Sequence, residues 1–141
     1  MKWFFILIII PFCISKSISQ SEQADTIDFY LNKGKISKNS GDYREALDYY
    51  QKAEAILKEI YELNETVTSK YIDCLRSIGH VYFKYYEEFD TALTYFVKAL
   101  QIAENVFGKS DPDYALSLYS IGQISMEQER YNEALTYFLE A

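Results

Sequence analysis

One helical phrase is written three times along the chain, and a chain built that way stacks repeated units instead of folding around one central core. In the first copy Tyr43, Ala46, Leu47, Tyr50 and Ala53 set the frame. Phe89, Ala92, Leu93, Phe96 and Ala99 repeat it, and so do Tyr131, Ala134, Leu135, Phe138 and Ala141. The copies are offset by 46 and then 42 residues, a period typical of stacked supersecondary units. Steps of three and four between apolar residues make each copy one stripe of an amphipathic helix.

A second helix precedes each phrase. Gly34, Gly79 and Gly122 recur nine or ten positions before the signature aromatics Tyr43, Phe89 and Tyr131. Glycine inside a helix costs about 1 kcal/mol against alanine, so three at matching places imply close approach of the paired helix. Ala46, Ala92 and Ala134 thin the opposite side. Asn39-Ser40-Gly41-Asp42 reads as a turn, with Asp42 as cap of the next helix, and Asn64-Glu65-Thr66 with Thr68 offers caps for a third. Gly108 reads as a helix stop, and Asp111-Pro112 as a cap with proline in the first turn. The helices are expected at about 24–40, from Asp42 to about 63, at 67–87 and 89–107, from Asp111-Pro112 through Leu116, Leu118, Ile121 and Ile124, and from 130 onward. They pair into repeats at about 24–63, 67–107 and 111–141, the last one cut short.

The composition agrees with an all-α chain. Two Pro and 5 Gly in 141 residues are too few for a loop-rich β fold, and 49% hydrophobic content is too much for a disordered one. The 14 Tyr and 9 Phe sit mostly at helical spacing, as wedges between helices.

Residues 1–19 read as a signal peptide, with Lys2 ahead of an apolar run from Trp3 to Ile14. At 1.5 Å per residue that run reaches about 18 Å, short of a bilayer's hydrocarbon core. Ser17 and Ser19 flank Ile18 in a small-x-small pattern that places cleavage after Ser19. Cys13 is a competing lipidation site, but Ile10-Pro11-Phe12 lacks the small residue expected before it. Export is therefore expected, to the periplasm or outside the cell, with no membrane span in 20–141. Loss of Lys2 and Lys16 leaves 12 basic and 21 acidic side chains, a balance that disfavours nucleic-acid backbones. Cys74 alone remains, so no internal disulfide is expected, and it reads as a small buried filler.

The paired pattern resembles the tetratricopeptide repeat, whose first helix carries a large residue, then Leu-Gly, then an aromatic. Leu75, Ile78, Gly79 and Tyr82 fit it, as do Leu118, Ile121 and Gly122; the first copy departs at Lys33 and Ser37. The period of 42–46 is similar to the long-repeat variety of kinesin light chains. The resemblance implies an α-solenoid of antiparallel helix pairs coiled into a right-handed superhelix. It also implies a concave face lined by the first helices, where a peptide or protein partner docks. The positions that face such a groove are Asn32, Lys35 and Lys38 in copy one, Arg76, His80 and Phe83 in copy two, and Tyr119, Gln123 and Met126 in copy three. Lys35, Lys38 and Arg76 make this strip basic, suited to an acidic or C-terminal carboxylate peptide. The residues that clamp chaperone tails in some relatives are not reproduced, so that role is not carried over.

No catalytic set, metal-ligand spacing or cofactor loop is evident. His80 and Cys74 fall on different helix faces. Asn64-Glu65-Thr66 fits a glycosylation sequon. The chain is expected to be a non-catalytic exported scaffold. The alternative is the extracytoplasmic sensor region of a larger membrane-spanning histidine kinase or transcriptional regulator. Ending inside a helix suggests a piece of a longer protein, with Leu135, Phe138 and Leu139 left open to self-association.

Overall fold

The computed structural model describes the backbone of residues 6–63 and 66–141, and side chains from Ser21 onward apart from 64 and 65. Among the described residues six α-helices follow one another: α1 Ile6–Ser40, α2 Tyr43–Leu63, α3 Thr68–Val81, α4 Phe89–Phe107, α5 Pro112–Glu127 and α6 Tyr131–Glu140. A π-helical turn, Tyr82–Tyr86, extends α3. No strand occurs among the described residues. Neighbouring helices pack in sequence, α1 on α2 through α5 on α6, and the backbones of α3 and α5 also approach each other, more closely than those of α2 and α4. The fold is an all-α stack of helix pairs, with the first helices on the tighter side. Helix α1 begins well before residue 24, because nothing between 12 and 33 is Gly or Pro to stop it. The expectations for residues 1–19 and for Cys13 lie outside the described side chains, as do Asn64 and Glu65 of the sequon.

The glycines do what their spacing demands. A Cβ on Gly34 would lie 2.7 Å from Cε1 of Tyr50; on Gly79, 2.6 Å from Cε1 of Phe96; on Gly122, 2.5 Å from Cε1 of Phe138. Each pair is closed by the same ring lying on the same bare backbone. Between pairs the core is apolar: Tyr71, Ile72, Leu75 and Ile78 of α3 are buried with Leu57 of α2, and Ile121 and Ile124 of α5 with Phe96 of α4.

In copy two Phe89 lies ten positions after Gly79, where the other copies have a spacing of nine, and the π turn absorbs the extra residue. A wider turn takes in one residue without shifting the helix on either side. It ends on Glu87, which has φ 56°.

The first and third pairs turn by one shared device. Gly41 N–H donates to Lys38 O (3.2 Å) and Asp42 N–H to Ser37 O (2.9 Å); Glu129 N–H donates to Met126 O (3.0 Å) and Arg130 N–H to Ser125 O (2.8 Å). This is the Schellman closure, which places its pivot residue in the left-handed region. Gly41 has φ 87° there and Glu129 has φ 60°. Glycine takes that conformation freely and glutamate does not. Glu129→Gly is therefore expected to stabilise the fold by about 1 kcal/mol, read as a rise in the urea midpoint at constant m-value. A midpoint that falls would show that Glu129 makes up for its strain.

At the other caps, Asp111 Oδ1 accepts from Asp113 N–H (2.8 Å) with Pro112 behind it. Helix α3 starts instead from Val67 with no side-chain cap, so Thr68 does not serve as its cap. Ser37, an unexpected hydroxyl in the core, is satisfied by donating to Glu45 Oε2 (2.8 Å). Its repeat equivalent Ser125 is also buried, but Glu133 there pairs with Arg130 (2.7 Å). Ser125 Oγ is left without a partner among the described residues.

Candidate functional site

Helices α1, α3 and α5 present the nine positions expected along the groove, and the structure sorts them into three groups. Asn32, Lys35, Tyr119 and Met126 are exposed; Lys38, Arg76, His80 and Gln123 are half-buried. Phe83 is only 3% exposed and joins the core with Ala92, Phe96, Ile121 and Ile124. That corrects its placement on the groove: the ring sits where α5 closes over the α3–α4 pair, against Phe89 at 5.9 Å.

Arg76 is held rather than free. Its guanidinium bonds Asp73 one turn earlier and reaches Asp113 Oδ1 of the next repeat at 3.3 Å. Burial pushes the Asp113 carboxyl up, and Arg76 opposes that. Lys35 and Lys38 form no ion pair among the described residues.

His80 lies at the middle of the strip, in a T-shaped contact with the Phe96 ring at 5.0 Å. Burial, with Lys38, Arg76 and Lys84 nearby, lowers its pKa from 6.5 to about 4, so the imidazole is neutral near pH 7. An unfolded chain takes up this proton near pH 6.5, whereas the folded one resists until about pH 4. The stabilisation is thus complete above pH 6.5 and is lost as pH falls toward 4. Wild type is expected to lose up to about 2–3 kcal/mol more than His80→Gln across that window. Urea unfolding of both proteins at pH 7.5 and 4.5 measures it; parallel losses would show that His80 titrates normally.

Cys74 Sγ is buried and donates to Tyr50 O at 3.3 Å. Burial pushes its thiol up to about 12, leaving it protonated and unreactive near neutrality. Across the back of the stack, Lys98 of α4 and the Tyr71 hydroxyl of α3 converge on Glu54 Oε1 of α2, at 3.2 and 3.3 Å. Lys98 also lies over the Tyr71 ring. These groups tie three helices together.

One surface feature was not among the sites expected from the residue pattern. An open cleft of about 860 Å³ lies at the α1–α2 turn, lined by Gly41, Asp42, Tyr43, Arg44, Glu45, Asp48, Tyr85 and Tyr86. Tyr43 and Tyr85 stack face to face within it. It takes in none of the nine strip residues. Its signal in the sequence was the extra residue after Gly79, which brings Tyr85 and Tyr86 to this edge.

Comparison with known families decides the membership. Tetratricopeptide repeat models match residues 71–141 and 27–56. The chain belongs to the tetratricopeptide repeat family. The crystal structure of BtubC (BKLC) from P. vanneervenii is similar in fold, with a TM-score of 0.64 at 19% identity over 76% of this chain. This chain spans 41% of that one's length. Comparison with curated protein sequences gives no match. Tetratricopeptide repeats suggest a protein–protein interaction scaffold, and such repeats are generally non-catalytic. Among the described residues, no helix is long and apolar enough to cross a membrane.

Proposed function

We propose that this chain is an exported, non-catalytic scaffold whose first-helix face holds a peptide with an acidic side chain or a free C-terminal carboxylate. The supporting observation is that Lys35 and Lys38 form no ion pair among the described residues, Lys38 lying near neutral His80, while Arg76 is already committed to Asp73 and Asp113. Two uncommitted ammonium groups on a chain of net charge −7 give a local attraction for anions that its overall charge opposes elsewhere. Exposed Tyr119 and Met126 add apolar contact further along. Export rests on the run Trp3–Ile14 with Lys2 before it and Ser17 and Ser19 behind, and a mature N-terminus at Gln20 is its mass-spectrometric signature.

Fluorescence anisotropy with a Glu-rich peptide bearing a free C-terminus tests the reading. The peptide is expected to bind more tightly than its amidated, Lys-rich counterpart, and Lys38→Glu to weaken it about tenfold. Equal binding of acidic and basic peptides would rule the reading out.

A further inference from the structure

The turn of the second pair carries more than its closure requires. Counted from the helix glycine, copy one places Ser40 and Gly41 at the turn, copy three places Gln128 and Glu129, and copy two places Tyr85 and Tyr86. The first and third pairs close without an extra residue. The second takes one in through the π turn and ends on left-handed Glu87. Wide turns and left-handed residues other than glycine gather at functional sites. Here they stand two tyrosines, 42% and 41% exposed, against the turn of the preceding pair. The cleft of about 860 Å³ lies between, one wall from α2 and the other from the π turn.

The charges in the cleft choose its ligand. Three carboxylates line it, Asp42, Glu45 and Asp48, against the single guanidinium of Arg44. Glu45 already accepts the Ser37 hydroxyl, and Asp48 pairs with Lys52 at 2.6 Å. The Asp42 carboxylate is exposed and has no side-chain partner among the described residues. Arg44 does not supply one, since residues two apart do not face each other on a helix. Lys84, beside Tyr85 in the chain, lies over the Phe83 ring and reaches Glu127 instead. An uncommitted carboxylate therefore stands beside electron-rich tyrosine rings. We propose that the cleft takes an arginine side chain of a peptide partner, its guanidinium stacked on a tyrosine ring and forked onto Asp42. A planar guanidinium serves both contacts at once, which the ammonium of a lysine does not. The cleft is open and larger than one side chain fills, so the peptide on either side of the arginine fits as well. This site is separate from the basic strip, prefers the opposite charge, and stands whether or not that strip binds an acidic peptide.

Two-dimensional NMR of the labelled full chain, titrated with the blocked tripeptide acetyl-Gly-Arg-Gly-amide, tests this. Amides from Asp42 to Asp48 and from Lys84 to Glu88 are expected to shift, with those of Lys35 and His80 quiet. The lysine counterpart is expected to bind about fivefold more weakly, and the glutamate counterpart to leave these amides unmoved. Asp42→Asn, which can still cap α2, is expected to weaken the arginine peptide about tenfold. Tyr86→Leu is expected to weaken it about threefold, and Arg44→Ala to tighten it about threefold by lifting a like charge. Unchanged spectra away from the cleft show that each variant keeps its fold. Amides of the cleft that stay still with the arginine peptide overturn the proposal. So does equal binding of the arginine and glutamate peptides there, or undiminished affinity in Asp42→Asn. Shifts confined to another face overturn it too, because they place the guanidinium elsewhere.

Discussion

Phe96→Ala is expected to lower the unfolding free energy by about 4 kcal/mol, the largest loss of any single substitution considered for this chain. Phe96 is completely buried and serves two interfaces at once. Its ring packs on the bare backbone of Gly79, closing the second pair, and makes an edge-to-face contact with His80. It also belongs to the cluster in which Ile121 and Ile124 of α5 seat the third pair. Removing it empties the middle of the stack, where helices on both sides limit collapse into the gap. The equivalent Phe138→Ala is expected to cost about 2 kcal/mol, since that ring is only half-buried. Chemical denaturation of the two variants side by side decides the matter; equal losses would mean that the stack does not transmit packing from pair to pair.

Gly79→Ala is expected to destabilise by about 2 kcal/mol, against the usual gain of about 1 kcal/mol for alanine over glycine inside a helix. The methyl group would sit 2.6 Å from the Phe96 ring, and that ring has nowhere to go. The sign should reverse once the ring is removed. In a Phe96→Ala background the same substitution is expected to be neutral or stabilising, because only helix propensity then remains. A double-mutant cycle reads this coupling directly. Additive losses would show that Gly79 is present for some reason other than close approach.

The helix pairs were legible because their signals are local. A glycine, an alanine and an aromatic at set intervals state where two helices touch, and the ring-on-glycine contacts repeat at all three copies. Even the π turn was latent in the spacing of ten after Gly79, although a count alone does not tell a wider turn from a longer loop. The strip was less legible. Phe83 shares its repeat position with Lys38 and Met126, and only the arrival of α5 buries it. Arg76 meets Asp113 across 37 residues, a pairing that depends on how two repeats stack and leaves no mark on the local pattern. The sequence names what each helix offers its own partner; the neighbouring pair then decides which of those side chains remain available.

Two-dimensional NMR of the labelled chain, titrated with the Glu-rich peptide, tests the scaffold reading most directly. The account predicts shifts in the amides around Lys35, Lys38, His80 and Tyr119 on α1, α3 and α5, with α2 and α4 quiet. Shifts confined to α2 and α4, or to the Tyr43–Tyr85 cleft, would contradict it.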